Sequence, residues 1–534
     1  MCRPDKRAPL AAATFLAASA LTPGQALALS FEAGDWLFNV DTSLTAAVQW
    51  RTESRDKDLI DDPLDPYLNL NDGNVNFDKG DLVSAKGSFI LELGGEYGDF
   101  AFFIRGDGLY DYIYENETTG ISERDYLTYN GAIPNGGDVE RGDFPDKTLD
   151  EHGKRLRLLE AFVNYQFDIG EQLSSVRLGR QVIAWGEATI YQGVNTMQNP
   201  IDGGVALSPG VEAKEIFLPT NAIDLKLGIT DNLNAEAYYK LEWEKTTQPG
   251  VGSFLSASDI TGPGAQRILL GPLGSAKVVS AEDPSSSGQW GAALRYLTDA
   301  GTTFALAYTN SHANSPGSRI VVDFAGESYT QEVYLEDVEY WQASVAGNIG
   351  EAYVYADLAW SDNAPFIDTT QYSNDLGQLV VSDVSRGEYR QLVLGMTDLY
   401  TAFPWLSRQI VFTGEFIYQD NDLGEGDKTG TPYIATDDAW GYQFIAILRY
   451  FALAPGLDVD VPISFRHDVD GYGSGTMKNN LIEGQKWASI GLDAVYLNNW
   501  QFSAKYSFYF GNDDRDEPVL SDRDNLALSV KYKF

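Results

Sequence analysis

The sequence predicts an all-β chain, a transmembrane antiparallel β-barrel of about eighteen strands, sixteen if the two weakest segments drop out. Three observations predict it. Long segments alternate apolar and polar residues with a period of two, the period of a strand that buries one face in an apolar medium. The connections alternate strictly between a few residues and a long polar stretch, the asymmetry of short periplasmic turns and long extracellular loops in membrane barrels. The chain ends on Leu526, Leu528, Val530, Tyr532 and Phe534 on one face, with Ala527, Ser529, Lys531 and Lys533 on the other.

In chain order, Arg3, Lys6 and Arg7 precede an apolar run from Ala8 to about Leu21, and Ala26-Leu27-Ala28 follows. A basic start, a short apolar stretch and an A-x-A site read as a secretory signal peptide over 1–28, leaving 29–534 as a single barrel domain. The run is shorter than the roughly 20 residues that span a bilayer as a helix. Cys2 is the only cysteine and lies in the predicted signal, so the mature chain would carry neither disulfide nor cysteine metal site.

Trp36, Phe38, Val40, Leu44, Ala46, Val48 and Trp50 share one face of the first long strand; Asn39, Asp41, Ser43, Thr45, Gln49 and Arg51 share the other. Aromatics at both ends of an apolar face suit the two interfaces of a membrane. The same signature recurs at 304–308, 440–450 and 500–510. The weakest segments are 386–400 and 173–182. Short turns are expected at 96–99, 168–172, 230–232, 298–301, 348–351, 402–407, 452–456 and 497–499. Long loops are expected at 53–81, 115–155, 185–215, 246–288, 311–332, 362–385, 420–439, 471–486 and 511–524.

Composition agrees. The chain has 52 Gly, 30 Tyr, 26 Phe and 11 Trp but only 4 Met, which suits strands that are half apolar. A net charge of -39 argues against nucleic-acid binding. It suits loops that meet divalent cations in a lipopolysaccharide layer, and ordinary solubility explains it equally well.

On the predicted inward faces lie charges of both signs, among them Arg105, Asp107, Glu160, Arg177, Asp224, Lys226, Glu236, Lys240 and Glu242. Phe103, Phe162, Tyr238, Tyr353, Tyr355 and Tyr509 are expected to point inward with them. Such a lining can stack on and hydrogen-bond to aromatic or amphipathic solutes; scattered interior aromatics are also what any large barrel contains. The segment 185–215 is unusual for a surface loop. It carries Ile190, Tyr191, Val194, Met197, Ile201, Val205, Ala206 and Leu207. Irregular backbone cannot face lipid, so the segment is expected to fold inward as a constriction; the alternative is an outer cap packed on itself.

The run G-R-Q-V-I-A-W-G-E at 179–187 is followed by N-x-x-x-N-P-I-D at 195–202 and P-G-V-E-A-K-E at 209–215. Later come Y-Y-K-L-E-W at 238–243 and V-G-S-F at 251–254, and N-D-G-N-V-N-F at 71–77 precedes them all. Together these resemble the outer-membrane family of unknown function DUF1302, over nearly the whole mature chain. The terminal strand likewise resembles those of Gram-negative outer-membrane barrels. The resemblance implies a porin-like channel for small hydrophobic or aromatic compounds, working by diffusion or with an inner-membrane export system or periplasmic carrier. It carries over no catalytic residue. Arg180, Gln181, Trp185, Glu187, Asn199, Asp202, Glu212 and Glu215 are candidate pathway or constriction residues only.

No cofactor, metal or catalytic site is read. His152, His312 and His467 show no metal-ligand spacing, and neither G-x-S-x-G nor a phosphate-binding loop occurs. Two loop histidines meeting in space would permit a surface hydrolase, the least favoured reading. Acidic clusters at 61–65, 420–427 and 513–517 read as solvated loops, with loosely held divalent ions as the alternative. The reading is therefore a porin-like outer-membrane barrel, neither enzyme nor nucleic-acid binder, whose partners are lipid, lipopolysaccharide and a small solute. The alternative is a closed structural or adhesive barrel.

Overall fold

The computed structural model describes residues 29–56, 59, 69–70, 72–117, 144–194, 197–270, 273–401, 403, 405–422, 434–474, 481–510 and 520–534. The predicted signal peptide, and the acidic clusters over 61–65, 425–427 and 513–517, lie outside them.

Eighteen strands close into one antiparallel barrel. They are β1 (Trp36–Arg51), β2 (Leu82–Tyr97), β3 (Phe100–Asp111), β4 (Lys154–Ile169), β5 (Gln172–Gln181), β6 (Thr220–Gly228), β7 (Leu233–Lys240), β8 (Trp290–Leu297) and β9 (Thr303–Ser311). After them come β10 (Val338–Ile349), β11 (Ala352–Asp368), β12 (Leu379–Tyr400), β13 (Gln409–Asp422), β14 (Asp438–Ala454), β15 (Leu457–Asp470), β16 (Lys486–Tyr496), β17 (Trp500–Phe510) and β18 (Asn525–Lys533). Each pairs with its sequence neighbours. The ring is closed between β1 and β18, with Leu44 opposite Tyr532 and Trp50 opposite Leu526.

The two weakest segments are both strands, β5 and β12. β12 reads poorly because both its faces are mixed: inward Tyr389 and Val393 are fully buried beside Gln391, and Glu388 and Arg390 stand on the other parity, so the contrast between its faces is lost. Below the end of β18, the short strand Leu29–Ala33 pairs with Trp36–Val40, so the lower edge of β1 does not stand open. At the loop end β12 runs past the barrel and pairs with Gly317–Val322, the start of a small outer sheet.

The outward face is apolar and bare. Leu156, Leu158, Val163, Leu173, Leu306 and Trp341 are all more than half exposed, while their strand neighbours on the other parity carry the polar residues. Such a belt is unsustainable in water and is the surface of a transmembrane barrel. Aromatics rim it. At the turn end Trp36 stacks on Tyr97 at 5.4 Å and Trp500 meets Tyr532 at 4.5 Å. Toward the loop end Tyr308 lies between Trp290 and Trp341, at 5.3 and 4.8 Å. The wall is uneven in height: β1 has 16 residues and β12 has 22, while β6 to β9 have 9, 8, 8 and 9. Among the described residues, no helix is long and apolar enough to cross a membrane.

Candidate functional site in the barrel interior

Residues 182–219 join β5 to β6, and their polar groups are met by charged residues on the inward side of distant strands. Glu187 and Ala188 donate their backbone N–H groups to Asp357 Oδ2 on β11, at 2.8 and 2.9 Å. Glu415 on β13 accepts the N–H groups of Thr189, Ile190 and Tyr191 at 2.7, 3.0 and 2.6 Å, and the Thr189 hydroxyl at 3.1 Å. The Tyr355 hydroxyl donates to the same carboxylate at 2.6 Å. Tyr355 lies over Gly395 of β12, where any Cβ would run into its ring. A run of backbone N–H groups is a good seat for an anion, and here a wall carboxylate occupies it.

The rest of the segment is tied to other sectors. Gln391 on β12 donates to the Gln192 carbonyl at 3.0 Å, and Arg466 on β15 lies over the Tyr191 ring at 5.2 Å. Arg155 and Arg157 on β4 bind Asp202 at 3.2 and 2.6 Å; Asp202 also caps the short helix Gly203–Ala206. Lys214 reaches Glu92 on β2 at 2.8 Å. Glu212 reaches Lys531 and Lys533 on β18, both at 2.8 Å. Burial alone would raise the Glu212 carboxyl, but the bonds to the two lysines outweigh it and hold its pKa at about 2. Glu215 accepts the Glu212 N–H at 2.7 Å in a capping box.

Of the sequence candidates, Trp185 is buried against Tyr238 at 5.1 Å. The Glu187 carboxylate accepts the Tyr353 hydroxyl at 2.8 Å. Asn199 bonds both backbone groups of Ile183. Gln181 is buried and donates to the Ala222 carbonyl at 2.9 Å. Arg180 is placed apart from the others. It pairs across to Asn221 on the strand side that carries the exposed Leu178 and Ile223, and binds Glu242 at 2.5 Å. Glu242, expected to continue the inward parity of β7, turns back to Asn221 and Arg180 instead. β7 ends at Lys240, and the alternation ends with it.

Sequence reasoning missed Asp357, Glu415, Glu92, Arg155 and Arg157 as anchors. One signal was available: a carboxylate on an inward parity under apolar cover must be paired.

At the loop end two of the family-resembling motifs, those at 71–77 and 251–254, come together. Phe77 meets Phe254 at 5.8 Å, Asn76 donates to the Gly252 carbonyl at 2.8 Å, and a Cβ on Gly73 would strike the Ser253 carbonyl. Beneath them Arg51, fully buried, binds Asp522 at 2.8 Å and Asn74 Oδ1 at 2.7 Å. Arg523, also fully buried, lies against the other Asp522 oxygen at 3.1 Å and donates to the Phe254 carbonyl.

The two loop histidines have separate partners. His312 is held between the Ser287 carbonyl and the Asp337 N–H, at 2.8 and 3.0 Å. His152 Nε2 accepts the Gly250 N–H at 2.9 Å beside the Tyr114 ring. Burial holds His152 down at about 4 against an ordinary 6.5, with Asp202 opposing and Arg155 and Lys86 assisting. The folded state therefore prefers the neutral ring. Its contribution is full above about pH 6.5 and is lost as pH falls toward 4. Hydrogen exchange at the Gly250 amide, corrected for intrinsic rate, should accelerate over that window in the natural protein and not in His152→Gln. Among the described residues no cluster of three or more His, Cys, Asp or Glu could hold a metal ion.

Several solved structures match the chain over most of its length at low identity. OccAB3 of Acinetobacter baumannii shares 10% identity over 93% of this chain and 99% of its own, with a TM-score of 0.43. A BenF-like porin from Pseudomonas fluorescens Pf-5 shares 11% over 93% and 98%, with a TM-score of 0.43. OmpF of Salmonella typhi, solved with daunomycin, shares 10% over 95% and 100%, with a TM-score of 0.39. No functionally curated protein matches the chain. The model of one family, described as "Protein of unknown function (DUF1302)", matches residues 7–534, and the chain belongs to that family.

Proposed function

We propose that this protein is an outer-membrane, porin-like channel or transporter for small hydrophobic or aromatic compounds, its lumen narrowed by residues 185–215. The observation that carries the reading is the attachment of residues 187–191 to Asp357 and Glu415. Those anchors stand on β11 and β13, six and eight strands from β5 in a ring of eighteen, so a segment leaving β5 must cross the interior to reach them. A barrel of this size without an inward segment leaves a wide aqueous channel. With such a segment, passage becomes selective.

The inward aromatics support the solute class. Phe103 and Phe162 lie 5.7 Å apart with Arg105 and Arg177 over their faces, surfaces on which a flat ring can stack. In this reading the belt meets lipid, the long loops meet lipopolysaccharide, and the turn end meets the periplasm and any carrier or inner-membrane export system. The chain would supply the path and the gradient or the partner the direction. The packed motifs at the loop end favour a second reading, a closed structural or adhesive barrel.

Solute flux separates the two. Folded protein in liposomes should pass labelled aromatic solutes well above protein-free vesicles. Flux at the vesicle baseline, from a sample whose gel mobility shifts on heating, would sink the channel and leave the closed barrel.

A further inference from the structure

The geometry points to a binding site for a small organic anion with a flat apolar body, in a cavity beneath Trp185; this rests on the channel reading above and names a solute class for it. The cavity measures about 300 Å³, the lower end of the range for small-ligand pockets. Trp185, Gly186 and Val194 cover it, and residues of β4 to β10 form its wall. Ala293, Ala305 and Ala307 supply much of that wall. Their small side chains, two of them packed toward Trp185 and Val194, give the cavity a flat apolar shelf.

The polar groups on the cavity are mismatched in a way that asks for an anion. Lys226 and Glu236 line it and lie 3.5 Å apart, and Asp224 lies 3.8 Å from the same lysine, so Lys226 is already matched. Arg295 lines it as well. It makes no ion pair and no side-chain hydrogen bond among the described residues, and its side is that of Ala293, not of the exposed Leu294. Among the charged residues that line the cavity, Arg295 is thus the one without an ion-pair partner. Trp185 adds a second unused donor: it is 3% exposed, and its indole N–H has no hydrogen-bond partner. A buried donor without a partner costs free energy, and an anion's oxygen would relieve it. Cationic walls of low dielectric concentrate anions. A carboxylate between Arg295 and Trp185, with its ring on the alanine shelf, satisfies both donors and fills the apolar volume.

The test uses the full, folded barrel in detergent, with phenylacetate as anionic probe and phenylacetamide as its neutral match. Calorimetric titration should show saturable binding of phenylacetate to the natural protein. Arg295→Gln should weaken it at least tenfold and leave phenylacetamide unchanged; Trp185→Phe, which keeps the ring and removes the donor, should weaken it a few-fold. No binding to the natural protein, or equal affinity in Arg295→Gln, would overturn the site. Liposome flux of the two probes reads the channel separately. Binding without flux of either would retain the site and sink the passage. Flux of both, unchanged in Arg295→Gln, would keep the passage and sink the site.

Discussion

Replacing Asp357 by Asn together with Glu415 by Gln should raise single-channel conductance several-fold. Glu415 receives five hydrogen bonds, four of them from residues 189–191 and one from Tyr355. Asp357 receives two more from residues 187 and 188. Bonds to a charged acceptor contribute about 1.5–3 kcal/mol each in favourable cases, though bonds sharing one carboxylate do not add. A glutamine keeps one acceptor and turns an NH2 group toward backbone donors, so attraction becomes repulsion at the same site. The expected loss is about 3–5 kcal/mol, from several charge-assisted bonds weakened at once. That is enough to free residues 187–191 from the far wall. Lys214–Glu92 and Glu212–Lys531 still hold the other end, so the segment should swing and not unfold. Planar-bilayer recordings check it. Steps equal to those of the natural protein, from a sample with normal heat-shifted mobility, would remove these carboxylates as the latch.

Asp522→Ala should open the loop end with an effect of similar size. It leaves Arg51 and Arg523 buried and close together with no counter-charge between them. Breaking one partner of such a buried pair costs about 3–5 kcal/mol. Local opening should rise about 10²–10⁴-fold, and protease cleavage of the loops should follow in proportion while opening is fast. The barrel itself should persist, because its ladder does not depend on Asp522. Arg51→Met is the companion test. It removes the hydrogen bonds to Asn74, Phe77 and Asp522 but leaves one arginine for the aspartate, so its cleavage rate should fall between the two. Cleavage at the natural rate in Asp522→Ala would mean that aromatic packing around Phe77 and Phe254 holds the loops without the charges.

The ring was legible because lipid imposes a period of two on every strand it touches. Trp36 to Trp50 and Leu526 to Phe534 read correctly for that reason. Where the inner face is covered as well, as at Tyr389 and Val393 of β12, the period weakens and reading it becomes harder. The apolar content of 185–215 announced that the segment needs cover, but nothing local could name Asp357 and Glu415, which meet it from about 170 and 225 residues away. Arg180 was drawn in by its place in a motif. Its parity with Leu178, visible in the same strand, already placed it on the other side.

The unequal wall has a consequence for the surrounding bilayer. Eight residues rising about 3.3 Å each at a tilt of about 45° reach about 19 Å, short of the roughly 25 Å apolar band usual for such barrels. Beside β7 and β8 the acyl chains should shorten, tilt or splay to meet the wall, more than beside the longer β1 and β12. The membrane around this molecule should dimple on that side, and the dimple would give the barrel a front and a back. Neighbouring barrels that also thin the bilayer would be drawn to that front, because sharing one dimple costs less than making two.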